Sequence, residues 1–184
     1  WILSLVQKLV LDVQEAMDRY DLQAAVQPFT VFVEQLTNWY IRRSRRRFWE
    51  AQDTPDRREA FSTLYCILMN LVKIAAPFIP FITEAIYQNL RMEHDPESVH
   101  LCDYPVYCEE MRDIELEKSM ALVQQVVSLG HGLRKEHKVK VPQPLSTVTI
   151  ISKNKDLLQT LQQQQVLILE ELNVKGAEFT VEEE

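Results

Sequence analysis

Residues 22–49 read LQAAVQPFTVFVEQLTNWYIRRSRRRFW, and the spacing within this stretch decides the architecture. Phe29, Phe32, Val33, Leu36, Trp39 and Tyr40 recur every three or four residues, as one buried face of an α-helix requires. Pro28 comes early enough to sit in an opening turn or to kink that helix. One long helix is therefore predicted, from about Leu22 to about Trp49. At ~100° per residue with Leu36 at zero, the other apolar positions fall within ~60° and Arg43 and Arg47 within ~20°. The apolar stripe is thus expected to continue as arginine, with Arg42 and Arg45 on the opposite side and Arg46 on the flank.

Working outward, Ile2, Leu5, Val6, Leu9, Val13 and Ala16 form the face of a first helix ending near Tyr20. Thr54-Pro55-Asp56 is a helix start, with Thr54 as cap and Pro55 in the first turn. The third helix carries Phe61, Leu64, Ile67, Leu68, Leu71, Ile74 and Ala75. Pro77 and Pro80 must stop or bend it while its apolar side chains stay buried. A shorter fourth helix reaches about Leu90, and 91–107 reads as an irregular loop wrapping back along the bundle. Ile114–Leu133 is helical again, interrupted by Gly130 and Gly132. Val148–Ile151 and Val174–Val181 are candidate strands around helical material at 155–171. The expected fold is mainly α: a helical bundle over 1–105, then over 106–184 a helix and a small α+β subdomain.

The 184 residues include only 3 glycines, which argues against an all-β fold, a Rossmann domain or a P-loop enzyme. No apolar run approaches the ~18 to 20 residues of a membrane span. Three cysteines, Cys66, Cys102 and Cys108, at irregular spacing fit a reducing compartment, so a cytoplasmic location is expected. Trp1 falls inside a helical pattern with no leader before it, as in an excerpt from a longer chain.

Lys and Arg number 20 against 27 Asp and Glu, a net charge of −7 that argues against nucleic-acid binding by bulk charge. A polyanion site must be local. Arg42, Arg43, Arg45, Arg46 and Arg47 supply it, five guanidiniums within six positions. The helix macrodipole favours arginines at a C-terminus, and Arg46 can pair with Glu50. One such pair contributes only ~0.3 to 0.5 kcal/mol and does not compensate five clustered cations. A phosphate backbone does. Arg134, Lys135, Lys138 and Lys140 form a second basic cluster, which reads equally as an RNA contact or a solvated helix end. Trp39 and Tyr40 lie on the packing stripe. Trp49, off the stripe and beside the arginines, is the stacking candidate. Asn38 faces away from the stripe and can reach a base edge.

Three further stretches join LTNWYIRRSRRRFW (36–49): AAPFIPFITE (75–84), SVHLCDYP (98–105) and EELNV (170–174). Together they resemble the anticodon-binding helical bundle of class I isoleucyl-tRNA synthetases, of the type found in eukaryotic cytosol and some bacteria. Valyl and leucyl enzymes share the first two stretches more loosely, and the equivalent domain of a valyl enzyme is the near alternative. The chain departs from the family at Pro142 and His131, where arginine is common. The resemblance implies part of an enzyme that charges isoleucine tRNA, with ATP and magnesium used in a catalytic domain of the same polypeptide. This part would grip the anticodon stem-loop and carry no catalytic residue, since the His-x-Gly-His and Lys-Met-Ser-Lys-Ser signatures are absent. The rival from another class is a helical interaction or structural module whose arginines dock on acidic protein surfaces.

His94, His100, Cys102 and Cys108 lack the paired close spacing of structural zinc, so no metal is expected. His131 and His137 read as surface or core residues, and Glu182–Glu184 as a solubilising tail.

Overall fold

The computed structural model describes residues 1–181; the Glu182–Glu184 tail lies outside them. The chain divides into two compact units, Trp1–Asp113 and Ile114–Glu184. In the first, α1 (Ile2–Asp18) buries Ile2, Val6, Leu9, Val10, Val13 and Ala16. It packs against α2 (Leu22–Glu34), whose first turn is capped by the Asp21 carboxylate accepting from the Ala24 N–H at 2.9 Å. Pro28 lies inside α2 rather than in its opening turn.

The helix continues past Glu34 through a π turn, Gln35–Ile41, into α3 (Arg42–Phe48). This turn corrects the expected phase. Each residue of the wider i→i+5 turn rotates less than in an α-helix, and over seven residues the slip amounts to about one position. The buried seam therefore runs Leu36, Tyr40, Ser44, Phe48, with Leu36 and Ser44 buried and Tyr40 and Phe48 half-buried. The stripe does not continue as arginine: Arg43 and Arg47 sit half-buried beside it. Val33, expected on the core face, is exposed.

Helix α4 (Pro55–Ala75) begins as its sequence requires, with the Thr54 hydroxyl accepting from the Arg57 N–H at 3.2 Å and Pro55 in the first turn. Ile67 and Ile74 join the α1–α2 core, and Phe29 meets Phe78 edge-on at 5.5 Å. After the bend at Ala76–Ile79 comes α5 (Pro80–Leu90). From the bend into the first turn of α5 the apolar residues do not all stay buried: Ile79 and Phe81, expected inside, are 52% and 91% exposed, and Ile82 is more than half exposed. A second small core holds Met69, Val72, Ala76, Tyr87 and Val99.

The segment after α5 does wrap back. Tyr104 Oη donates to the Val10 carbonyl at 3.3 Å, the Cys108 N–H to Gln7 Oε1 at 2.8 Å and the Asp113 N–H to Ser4 Oγ at 2.9 Å. Ser4 and Gln7 are buried polar residues on α1, and these bonds satisfy them. They also carry the first unit on to Asp113, eight residues past the boundary expected at 105/106.

In the second unit, α6 (Ile114–Glu136) runs without interruption through Gly130 and Gly132. Then come β1 (Leu145–Ser152), α7 (Lys155–Gln163), α8 (Gln165–Leu172) and β2 (Val174–Val181). The strands pair in parallel, with Val148 opposite Ala177 and Ile150 opposite Phe179, and α7 packs on both. Asn173, left-handed at φ 49°, ends α8 and turns the chain into β2. Among the described residues, no helix is long and apolar enough to cross a membrane.

Candidate nucleic-acid interface

The arginine cluster lies where the 22–48 helix passes the first turns of α4. Counting ~100° per residue from Arg42, Arg45 lies at about −60°, Arg46 at about +40° and Trp49 at about −20°, so one α3 face carries all four. All four are exposed, as is Asn38 one turn earlier. The opposite face is the packing seam: Phe48 meets Tyr40 edge-on at 6.5 Å and lies tilted against Phe61 of α4 at 5.3 Å. Tyr40 sits close enough to α4 for burial to push its hydroxyl above the usual phenol value.

Neighbouring groups divide the five arginines. Arg47 turns to α4 and makes a two-pronged pair with Asp56, Nε to Oδ2 at 2.9 Å and Nη2 to Oδ1 at 2.8 Å, and Nη2 also donates to the Asp56 carbonyl at 3.1 Å. These hydrogen bonds raise its already high pKa further. Arg47 is thus bound within the fold and not on the outward face, a correction to its expected role. Arg43 stays on the flank. Arg42 Nε donates to the Asn38 carbonyl at 2.7 Å, and the Arg42 guanidinium lies 5.8 Å from the Trp39 ring centre. The Arg45 guanidinium lies 4.0 Å over the Trp49 ring. The Arg46 side chain has no hydrogen-bond or ion-pair partner among the described residues. The expected Arg46–Glu50 pair is not formed, and Glu50 instead accepts from the Thr54 hydroxyl at 2.8 Å.

The second cluster splits. Arg134 is 6% exposed, and its guanidinium donates to four main-chain carbonyls: Lys140 at 3.2 Å, Gln143 at 3.0 Å, Leu172 at 2.6 Å and Asn173 at 3.2 Å. It joins the end of α8 to the loop before β1, and Asn173 Nδ2 secures the same loop through the Val141 and Pro142 carbonyls at 3.0 and 3.1 Å. Arg134 cannot reach RNA from there, which corrects its expected role: a guanidinium so enclosed serves the fold. Lys135, Lys138 and Lys140 remain exposed, with Lys138 left-handed at φ 57°.

Sequence reasoning passed over Arg57 and Arg58 on the first turn of α4. Arg57 lies 5.4 Å over the Phe61 ring, with its buried Nε lacking a hydrogen-bond partner among the described residues, and Arg58 pairs with Asp53 at 3.7 Å. The i,i+4 spacing of Arg57 and Phe61 was the available signal. No three His, Cys, Asp or Glu side chains converge as metal ligands among the described residues. Cys102 instead donates to Tyr87 Oη at 3.2 Å.

What the site can do follows from these placements. Exposed guanidiniums one turn apart repel one another, and an anion row at phosphate spacing relieves that repulsion while taking two-pronged hydrogen bonds. Exposed indole beside them adds a stacking surface.

Residues 1–150 match the family described as the anticodon-binding domain of tRNA ligase. The isoleucine–tRNA ligase of Protochlamydia amoebophila is 57% identical over 183 residues, covering 100% of this chain and 18% of that protein. That of Chlamydia trachomatis serovar A is 56% identical over 182 residues, 99% of this chain and 18% of that protein. That of Chlamydia caviae is 52% identical over 179 residues, 97% and 17%. The chain thus spans less than a fifth of the length of these relatives. They are bacterial, so of the type expected in eukaryotic cytosol and some bacteria it is the bacterial side that these relatives support, not a eukaryotic-cytosolic one. On the match across residues 1–150, the chain belongs to the anticodon-binding domain family of tRNA ligases.

Proposed function

We propose that this chain is the part of an isoleucine–tRNA ligase that holds the anticodon stem-loop of isoleucine tRNA, in an enzyme that attaches isoleucine to its tRNA using ATP. The observation that carries the reading is the exposed stripe of Arg42, Arg45, Arg46 and Trp49 in a chain of net charge −7. The relatives' identity favours the isoleucine enzyme over the valyl one. Phosphate contacts by the stripe, with Asn38, Arg43 and the exposed Lys135, Lys138 and Lys140 as further contacts, set position. Unpaired bases supply identity. Adenylation and transfer belong to a catalytic domain elsewhere in the same polypeptide. ATP and magnesium do not fit the residues here: the chain has 3 glycines and no glycine-rich loop, and no group of three His, Cys, Asp or Glu side chains converges among the described residues. Such an enzyme works in the cytoplasm, which suits three free, half-buried cysteines.

The Arg47–Asp56 pair favours a second, structural role for that part of the cluster. A salt titration separates the two. Replacing Arg42, Arg45 and Arg46 together by glutamine should weaken isoleucine tRNA binding and lower the slope of log affinity against log salt by roughly 2 to 3, at about 0.7 to 0.9 per phosphate contact. Unchanged binding at low salt would leave only the structural role.

A further inference from the structure

Trp49 is the one aromatic side chain on the exposed stripe of Arg42, Arg45 and Arg46. Trp49 ends α3, its main-chain N–H donating to the Arg45 carbonyl at 3.1 Å, and the residue remains 72% exposed although it carries the largest apolar side chain of that turn. Among the described residues, its ring is met by the Arg45 guanidinium, 4.0 Å from the ring centre. A cation placed over the ring is drawn to its electron-rich face and steadies the indole. With Trp49 this exposed, the other ring face is open to solvent. Arg46, three residues earlier and so a neighbour on the helix surface, has no side-chain partner among the described residues. The Trp39–Arg42 pair does not match this arrangement, because Trp39 is half-buried and its cation lies farther away, at 5.8 Å.

We infer that Trp49 is a shelf for one unpaired nucleobase, braced from behind by Arg45, with Arg46 placed for the phosphate of the same nucleotide. The inference deepens the RNA-binding reading above and rests on it. A base in a duplex has both faces covered by its neighbours, so only an unstacked base can lie on the indole. Stacking of this kind tolerates any base, because every base has a flat aromatic face. Trp49 therefore distinguishes single-stranded loop from stem, and the readout of base identity falls to other groups. A helix-capping stack with no ligand would leave RNA binding indifferent to Trp49.

The test uses the full chain with two RNAs: a hairpin carrying the anticodon loop, and its stem closed into a fully paired duplex. Hairpin binding should quench tryptophan fluorescence, and the duplex should not; the quench should disappear in Trp49→Phe while most of the affinity is retained. Trp49→Leu should bind the hairpin roughly 5- to 100-fold more weakly, with its affinity for the duplex unchanged. The salt slope should be the same as in the unaltered chain, because no phosphate contact is lost. Since Trp49 is exposed, both variants should keep the parent's unfolding midpoint. If the hairpin binds with no Trp49 quench and Trp49→Leu binds it normally, the shelf is overturned and the phosphate reading stands. If neither RNA binds, both readings fail.

Discussion

Gly130 and Gly132 lie two positions apart in α6 and face different surroundings. A Cβ on Gly130 would come within 2.5 and 2.7 Å of the Leu172 methyls, and one on Gly132 would meet nothing within 4 Å. Alanine is favoured over glycine inside a helix by about 0.8 to 1 kcal/mol. Gly132→Ala should therefore stabilise the chain by about that amount. Gly130→Ala must push aside Leu172, which is 2% exposed, and overpacking of about 1 to 3 kcal/mol outweighs the helical gain. Urea melts of the two variants should shift in opposite directions, and a stabilising Gly130→Ala would mean that α6 and α8 do not approach there. In the sequence both glycines read as interruptions of a helix. The same blindness separates Arg134 from Arg46: each is an arginine in a basic run, yet one donates to four carbonyls and the other faces solvent. A residue's type says that it needs partners, and only the fold says who they are.

Among elements, the π turn at Gln35–Ile41 has the largest effect on the site. It moves Ser44 under Leu36 and leaves Arg42, Arg45, Arg46 and Trp49 on the outer face. The periodicity of 22–49 shows a helix with an apolar face, but an inserted wide turn leaves no mark in spacing that an α-helix fits within 60°. The latch between α5 and the following loop is a second element-scale device. The Glu84 carboxylate accepts from Gln88 Nε2 at 2.7 Å, the Val99 N–H at 2.9 Å and the Ser98 hydroxyl at 2.9 Å, which joins two of the four resembling stretches. These bonds, Gln88 first, hold its pKa below the usual 4.5. A depressed carboxylate stabilises the fold above its unfolded pKa and loses that contribution as pH falls through its folded one. Lowering the pH from about 5 to about 3 should therefore cost the parent more stability than Glu84→Gln, as read by thermal melts across that range. Equal losses would show that the latch does not depend on charge.

At the scale of the whole molecule, a net charge of −7 coexists with a cationic stripe, so polyanion binding is local and the remaining acidic surface repels non-specific RNA. A different exposed feature affects behaviour in solution: Ile79, Phe81 and Ile82 form an apolar surface at the start of α5. Phe81→Lys should reduce concentration-dependent self-association in light scattering while changing stability by less than about 0.5 kcal/mol, as for an exposed substitution. A large loss of stability would place Phe81 in a packed core instead. Hydrophobic period, the Thr54-Pro55 cap and scarce glycine were enough for the helices, the order of elements and the α+β end, because local backbone preference and one buried face per helix are written in neighbouring residues. The wide turn at 35–41 leaves no mark in that spacing, and the anchoring of 108–113 on Ser4 and Gln7 and of Arg134 on the Leu172 and Asn173 carbonyls came from contacts between residues far apart in the chain. Such contacts fix orientation and partner, and nothing in the local spacing encodes them.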